Sequence, residues 1–175
     1  MLKAPLGQLF PTADVEIYRP EDFDKPMAEG VSIHLYRVTR TGGAVNPVSR
    51  CDSNGQRFNP SLLLDLHYLI TPWAATAETQ HSILGKAIRL LEDASTLNSG
   101  LLNHTFPAFS DDESVQLIGE PLSLADIGSI WESFKPNVQL SVGYVAQMVA
   151  IDSDIEQRES PIVQTRMFDY AASVE

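Results

Sequence analysis

The sequence predicts an α/β fold in which a mixed central sheet is packed by two main helices. Three observations point to it. One segment, Leu62 to Thr71, is apolar on both of its alternating faces, as a central strand must be. Two segments, Thr76 to Ala94 and Pro121 to Phe134, carry apolar residues at helical spacing. Shorter alternating segments lie before, between and after them.

The elements follow in order. Ala13 to Tyr18, between Pro11 and Pro20, reads as a short strand, and Pro20 to Gly30 as an acidic loop. Val31 to Arg40 is the next strand. Its alternation sets Val31, Ile33 and Leu35 on one face and His34, Tyr36 and Val38 on the other. Thr41 to Pro60 contains Gly42-Gly43, Asn46-Pro47 and Asn54-Gly55 and reads as a long loop or arm. In the central strand Leu62, Leu64, Leu66, Tyr68 and Ile70 share one face. Leu63, Asp65, His67 and Leu69 share the other, and Pro72 is expected to end the strand.

Thr76 caps the first helix, whose stripe is Ile83, Leu84, Ala87, Ile88 and Leu91. Thr96 to Phe109 reads as a turn followed by irregular or extended chain, and Ser114 to Gly119 as a strand. Ser123 caps the second helix, with Leu124, Ile127, Ile130, Trp131 and Phe134 as its apolar stripe. Val138 to Ile151 alternates as a long strand with a bulge near Met148. Ile162 to Phe168 is a last strand, and residues 169–175 form a tail. One domain over residues 1–175, with a long loop at about 41–60, accounts for the whole chain.

Composition excludes several classes. No stretch approaches the 18 or so continuous apolar residues of a membrane-spanning helix, and Met1 to Phe10 does not read as a secretory signal. The net charge of −11 argues against nucleic acid and against an acidic membrane surface as partners. A single cysteine, Cys51, excludes an internal disulfide.

Chemistry finds little support. His34, His67, His81 and His104 form no close ligand pair, and Asp111-Asp112-Glu113 lacks the spacing of a calcium loop. No nucleophile elbow or glycine-rich phosphate cradle is present. Asp65 and His67, inside the central strand, are the one pair that would suit a small hydrolase or metal enzyme if His34 joined them in a pocket. The plainer expectation is that both face the less covered side of the sheet. The expected catalytic, metal and cofactor residues are therefore none. Trp131 is expected in the core, and Trp73 in the core or at an interface. Phe106 and Phe109 are candidate exposed anchors.

A family resemblance sharpens this. "LLLDLHYLITPWA" followed by "ETQHSILGKAIRLLEDASTL" (within Leu62 to Leu97) resembles the amino-terminal domain of the tail terminator or cap proteins of extracellular contractile injection systems, which are phage-tail-like particles. "GVSIHLYRV" from Gly30 and "SIWESFKPNVQLSVGYVAQMVAIDS" from Ser129 resemble the same domain's early strand, late helix and long strand. The family usually has an amino-terminal helix before its first strand, where this chain has Pro5 and Gly7, and many relatives have a longer carboxy-terminal extension. The resemblance implies a phage tail-terminator-like fold and a structural subunit. Such subunits form a hexameric ring on the last layer of tube and sheath, stop polymerisation and stabilise the extended sheath, with no catalysis and no cofactor. It implies tube and sheath proteins as partners, and a place in the cytoplasm during assembly and then in a particle that can be released. An adaptor that binds sheath or baseplate without closing a ring is the alternative.

Overall fold

The computed structural model describes residues 13–41, 50–51, 55–103, 109, 113–134 and 138–157. The predicted strand at Ile162 to Phe168, the tail at 169–175, Phe106 and His104 lie outside these residues. The chain sorts into two compact units, residues 1–45 with 62–151, and residues 46–61 with 152–175.

The larger unit is built on a six-stranded sheet of β1 (Asp14–Ile17), β2 (Gly30–Arg40), β5 (Leu62–Trp73), β8 (Val142–Ile151), β7 (Ser114–Glu120) and β6 (Thr96–Asn98), in that spatial order. β1 runs parallel to β2, and every other pair is antiparallel, so the sheet is mixed as predicted. Two helices flank it, α1 (Ala77–Asp93) and α3 (Leu124–Glu132), and a single turn of helix, α2 (Ser99–Leu102), follows β6. Each helix starts where a side chain satisfies an otherwise orphaned amide. Thr76 accepts from the Thr79 N–H, Asn98 from Leu101, and Ser123 forms a reciprocal capping box with Asp126.

Successive residues of β5 feed two different cores, because side chains alternate along a strand. Ile70 joins Val31, Tyr144 and the α1 residues Ile83, Ala87 and Leu91 on one face. Leu69 and Trp73 join Tyr18, Phe23, Trp131 and Phe134 on the other. The second core is aromatic, and Phe23 sits at its centre. Its ring stacks on Phe134 at 4.4 Å and meets Trp131, Tyr18 and His34 edge-on at 5.2 to 5.4 Å. The expected acidic loop is thus a 3₁₀ turn, Pro20–Asp24, whose one apolar residue is an anchor.

Trp73 is buried in the same core, its indole N–H donating to Ser32 Oγ at 2.8 Å. Among the described residues the indole N–H of Trp131 has no hydrogen-bond partner; its ring lies edge-on to those of Phe23 and Phe134. Leu124, the first residue of the predicted α3 stripe, is exposed: it is the first helical residue and lies before the packed turns.

Three local expectations are corrected. Pro72 lies within β5, paired with Val31; β8 stops pairing at Ile70, so Pro72 has a neighbouring strand on one side only, where proline is tolerated. Thr96 to Asn98 is a strand on the sheet's edge. Val38 pairs with Leu66 and so lies on the face of Leu35, because β2 takes an extra residue at Tyr36 and the alternation flips.

β1 and β6 end the sheet, with four and three residues. On β1 the Asp14 carboxylate accepts from the Val15 N–H at 2.9 Å.

In the smaller unit β3 (Arg50–Cys51) pairs with β4 (Arg57–Phe58), and Phe58 bridges to Glu156. Asn59 N–H donates to Ile155 O at 2.9 Å, and Gln157 N–H to Arg57 O at 2.8 Å. The residues read as a long loop therefore contribute strands here.

Phe23→Ala is expected to lower the unfolding free energy by about 3–5 kcal/mol through cavity formation, measured by urea denaturation. His81→Ala, on the exposed side of α1, should leave it within about 0.5 kcal/mol.

Candidate functional site

The two faces of the sheet carry opposite chemistry beyond the helices. On the α1 face the described residues leave an apolar groove of about 340 Å³ past the end of the helix. Leu66 and Tyr68 of β5, Leu97 of β6, Val115 and Leu117 of β7, and Ala146 of β8 form its floor and wall. Phe109 closes one end, half-buried. The Asn103 side chain holds it by accepting from its N–H at 2.9 Å and donating to its carbonyl at 2.7 Å. The expected exposed anchor is turned inward. Tyr144 also lines the groove, and its hydroxyl donates to Glu92 at the end of α1 at 2.9 Å. Burial, together with this bond to a carboxylate, pushes its pKa up to about 12.

On the α3 face lies a polar cluster centred on Glu120, the last residue of β7. Its carboxylate accepts from Tyr36 Oη at 2.6 Å and Arg37 at 2.8 Å, both on β2, and contacts His67 Nδ1 of β5 at 3.0 Å. To get there the side chain crosses β8 at Gly143, its cross-strand partner. A Cβ on Gly143 would stand 2.9 Å from Leu122 Cδ1 and 3.0 Å from the Glu120 carbonyl, so the close approach of Leu122 and of the β7 backbone calls for glycine there.

His67 is buried, and its Nε2 lies 3.0 Å from Thr39 Oγ1. Arg37 and Glu120 both approach Nδ1, at 3.0 Å each. With the proton on Nδ1 the ring donates to Glu120 and accepts from Thr39. With the proton on Nε2 it accepts from Arg37 and donates to Thr39. Burial of Glu120 favours its neutral form, but the bonds from Tyr36 and His67 and the charges of His67 and Arg37 outweigh this and hold its pKa below the usual carboxylate value. Burial, then the bond to Glu120, pushes the Tyr36 hydroxyl well above its ordinary value.

Asp65 does not join His67. Its Oδ1 accepts from Thr41 Oγ1 at 3.0 Å and from the Met148 N–H at 3.1 Å. Met148 sits in the bulge where Gln147 and Met148 oppose one residue of β5, and its φ of 59° is left-handed. The acid that looks anomalous in an apolar strand therefore holds the bulge of its neighbour. His34 is in the aromatic core, donating from Nδ1 to the Tyr18 carbonyl at 2.8 Å. The three residues that a hydrolase would need converged are placed on separate structural tasks. Among the described residues no group of three His, Cys, Asp or Glu side chains could hold a metal ion. Among them, too, no helix is long and apolar enough to cross a membrane. Tyr36, Arg37 and Glu120 escape a reading of the sequence, because the bulge and the strand order that join them are not local signals.

Residues 1–165 match the family model for the Pvc16 N-terminal domain. The chain belongs to the Pvc16 N-terminal domain family. Two solved structures share the fold at low identity. One is the sheath/tube terminator of an extracellular contractile injection system, PVC, in its extended state: 17% identity, TM-score 0.56, covering 97% of this chain and 62% of that one. The other is the tube-terminating cap of the anti-feeding prophage: 14% identity, TM-score 0.57, covering 94% of this chain and 58% of that one. This family member therefore spans about three fifths of the length of either structure. No curated protein matches it at a significant level. The mixed sheet flanked by helices is the expected tail-terminator-like fold.

Asp65→Ala is expected to destabilise by about 0.5–1.5 kcal/mol, since it removes the bonds that the Met148 N–H and Thr41 Oγ1 make to the carboxylate, and Asp65→Asn by less, since the amide oxygen still accepts. Glu120 has a lowered pKa in the folded state, so its contribution is full above the ordinary carboxylate value and is lost as pH falls through the folded value. Urea midpoints taken from pH 7 down to pH 3 should fall more steeply for the native chain than for Glu120→Gln.

Proposed function

We propose that the chain acts as the capping domain of a contractile, phage-tail-like injection particle, a structural subunit without catalytic activity. It binds the end of the tube and sheath, stops their polymerisation and stabilises the extended sheath. The observation that carries this is the family match over residues 1–165, together with a fold shared with a sheath/tube terminator and a tube-terminating cap. The separate structural duties of Asp65, His67 and His34 support an assembly role over hydrolysis. A cap on a cylindrical tube calls for repeated copies joined by one interface that closes on itself, and we assign the chain to a hexameric ring. Assembly in the cytoplasm and release with the finished particle follow from this role.

Native mass measurement and negative-stain imaging of the purified chain, with and without assembled tube, test the proposal. The expected result is a sixfold ring seated at one tube end. A monomer that binds neither tube nor sheath overturns it, and a monomer that binds without closing a ring replaces the cap with an adaptor.

A further inference from the structure

The polar cluster and the apolar groove share a wall. β7 presents Glu120 on the α3 face, and Val115 and Leu117 to the groove on the α1 face. β6, which adds Leu97 to the groove, pairs with β7 alone. Among the described residues, backbone pairing ties this two-strand edge to the rest of the sheet through β8, from Gln116 to Glu120, and Leu117 packs on the α1 core. The side chain of Glu120 supplies a polar tie on the other face, reaching across β8 to β5 and β2.

We propose that Glu120 is an acid-released clasp, whose protonation frees the β6–β7 edge from β2 and β5 and opens the apolar groove behind it.

The charged and titratable groups around the carboxylate set the direction. β2 brings Tyr36 and Arg37, and β5 brings His67. β8 offers Gly143 and Val145, which carry no charge. From α3, Asp126 acts on Tyr36 and Arg37, but its carboxylate is engaged by Ser123 in the capping box. Ionised Glu120 accepts from Tyr36 and Arg37 and pairs with His67. Charge-assisted bonds of this kind are about twice as strong as neutral ones. Once protonated, the carboxyl loses the charge that strengthens its bonds from Tyr36 and Arg37 and no longer balances the Arg37 guanidinium, so the tie across β8 weakens. β2 is pinned to β5 by its own long pairing, so the part free to move is the short β6–β7 edge. Its displacement uncovers Leu66, Tyr68 and Ala146 on the groove floor.

Amide hydrogen exchange and Nile red binding test this on the full chain. At pH 7, Glu120→Gln should exchange the amides of Thr96–Asn98 and Ser114–Glu120 about tenfold faster than the native chain, with α1 and β5 unchanged, and should brighten the dye. Acidification, with rates corrected for intrinsic exchange, should bring the native chain to the variant's behaviour and change the variant little. Native-like exchange in β6–β7 of the variant overturns the proposal, and so does equal acceleration of α1, β5 and β6–β7, which signals global loosening. If Glu120→Gln does not fold, Tyr36→Phe removes one donor only. About threefold faster exchange confined to β6–β7 supports the clasp, and native-like exchange there sinks it.

Discussion

Neighbouring side chains of a β-strand ordinarily leave opposite faces of the sheet, yet Tyr36 and Arg37 meet at one carboxylate because β2 carries an extra residue between Leu35 and Arg37. That bulge governs much of what surrounds it. Before it, His34 points into the aromatic core. After it, Thr39 faces the same side and reaches His67, and Val38 turns to the other face with Leu66. A regular strand would bring only one of Tyr36 and Arg37 to Glu120 and would swing Val38 onto the polar side. The second bulge, in β8, does the same for Asp65 by presenting the Met148 amide to it. Two insertions of one residue thus decide which polar groups of the sheet find partners.

The parts of the fold that were legible in the sequence are those whose signal is local and periodic. Leu62 to Thr71 announced a central strand, Ile83 to Leu91 a helix, and Met148 a break in alternation, because each pattern is set by one element's own burial. Phe23 was hidden because a lone aromatic within acidic loop residues has no period. Its value comes from Phe134 and Trp131, more than a hundred residues away in the chain. Asp65 was visible as an oddity but pointed the wrong way. Its neighbour His67 suggested chemistry, whereas its partners are an amide of β8 and the hydroxyl of Thr41. Gly143 carried no signal either, since the reason for a glycine there is the Leu122 side chain and the Glu120 carbonyl pressing on it from a distant part of the chain.

The family match and the shared fold set this architecture beside a sheath/tube terminator and a tube-terminating cap. In this chain the β5 strand, with a core on either face, is the scaffold, and among the described residues the groove beside α1 is left uncovered.

The ends of the sheet carry a consequence of their own. An open sheet offers unpaired amides and carbonyls along its last strands, and these are templates for aggregation by strand addition. Here β1 and β6 are only four and three residues long. β1 bears two carboxylates, Asp14 and Glu16, and one of them already occupies an amide of its own strand. Brevity at both ends, with negative charge and a self-satisfied donor on β1, makes these margins poor seeds for runaway stacking.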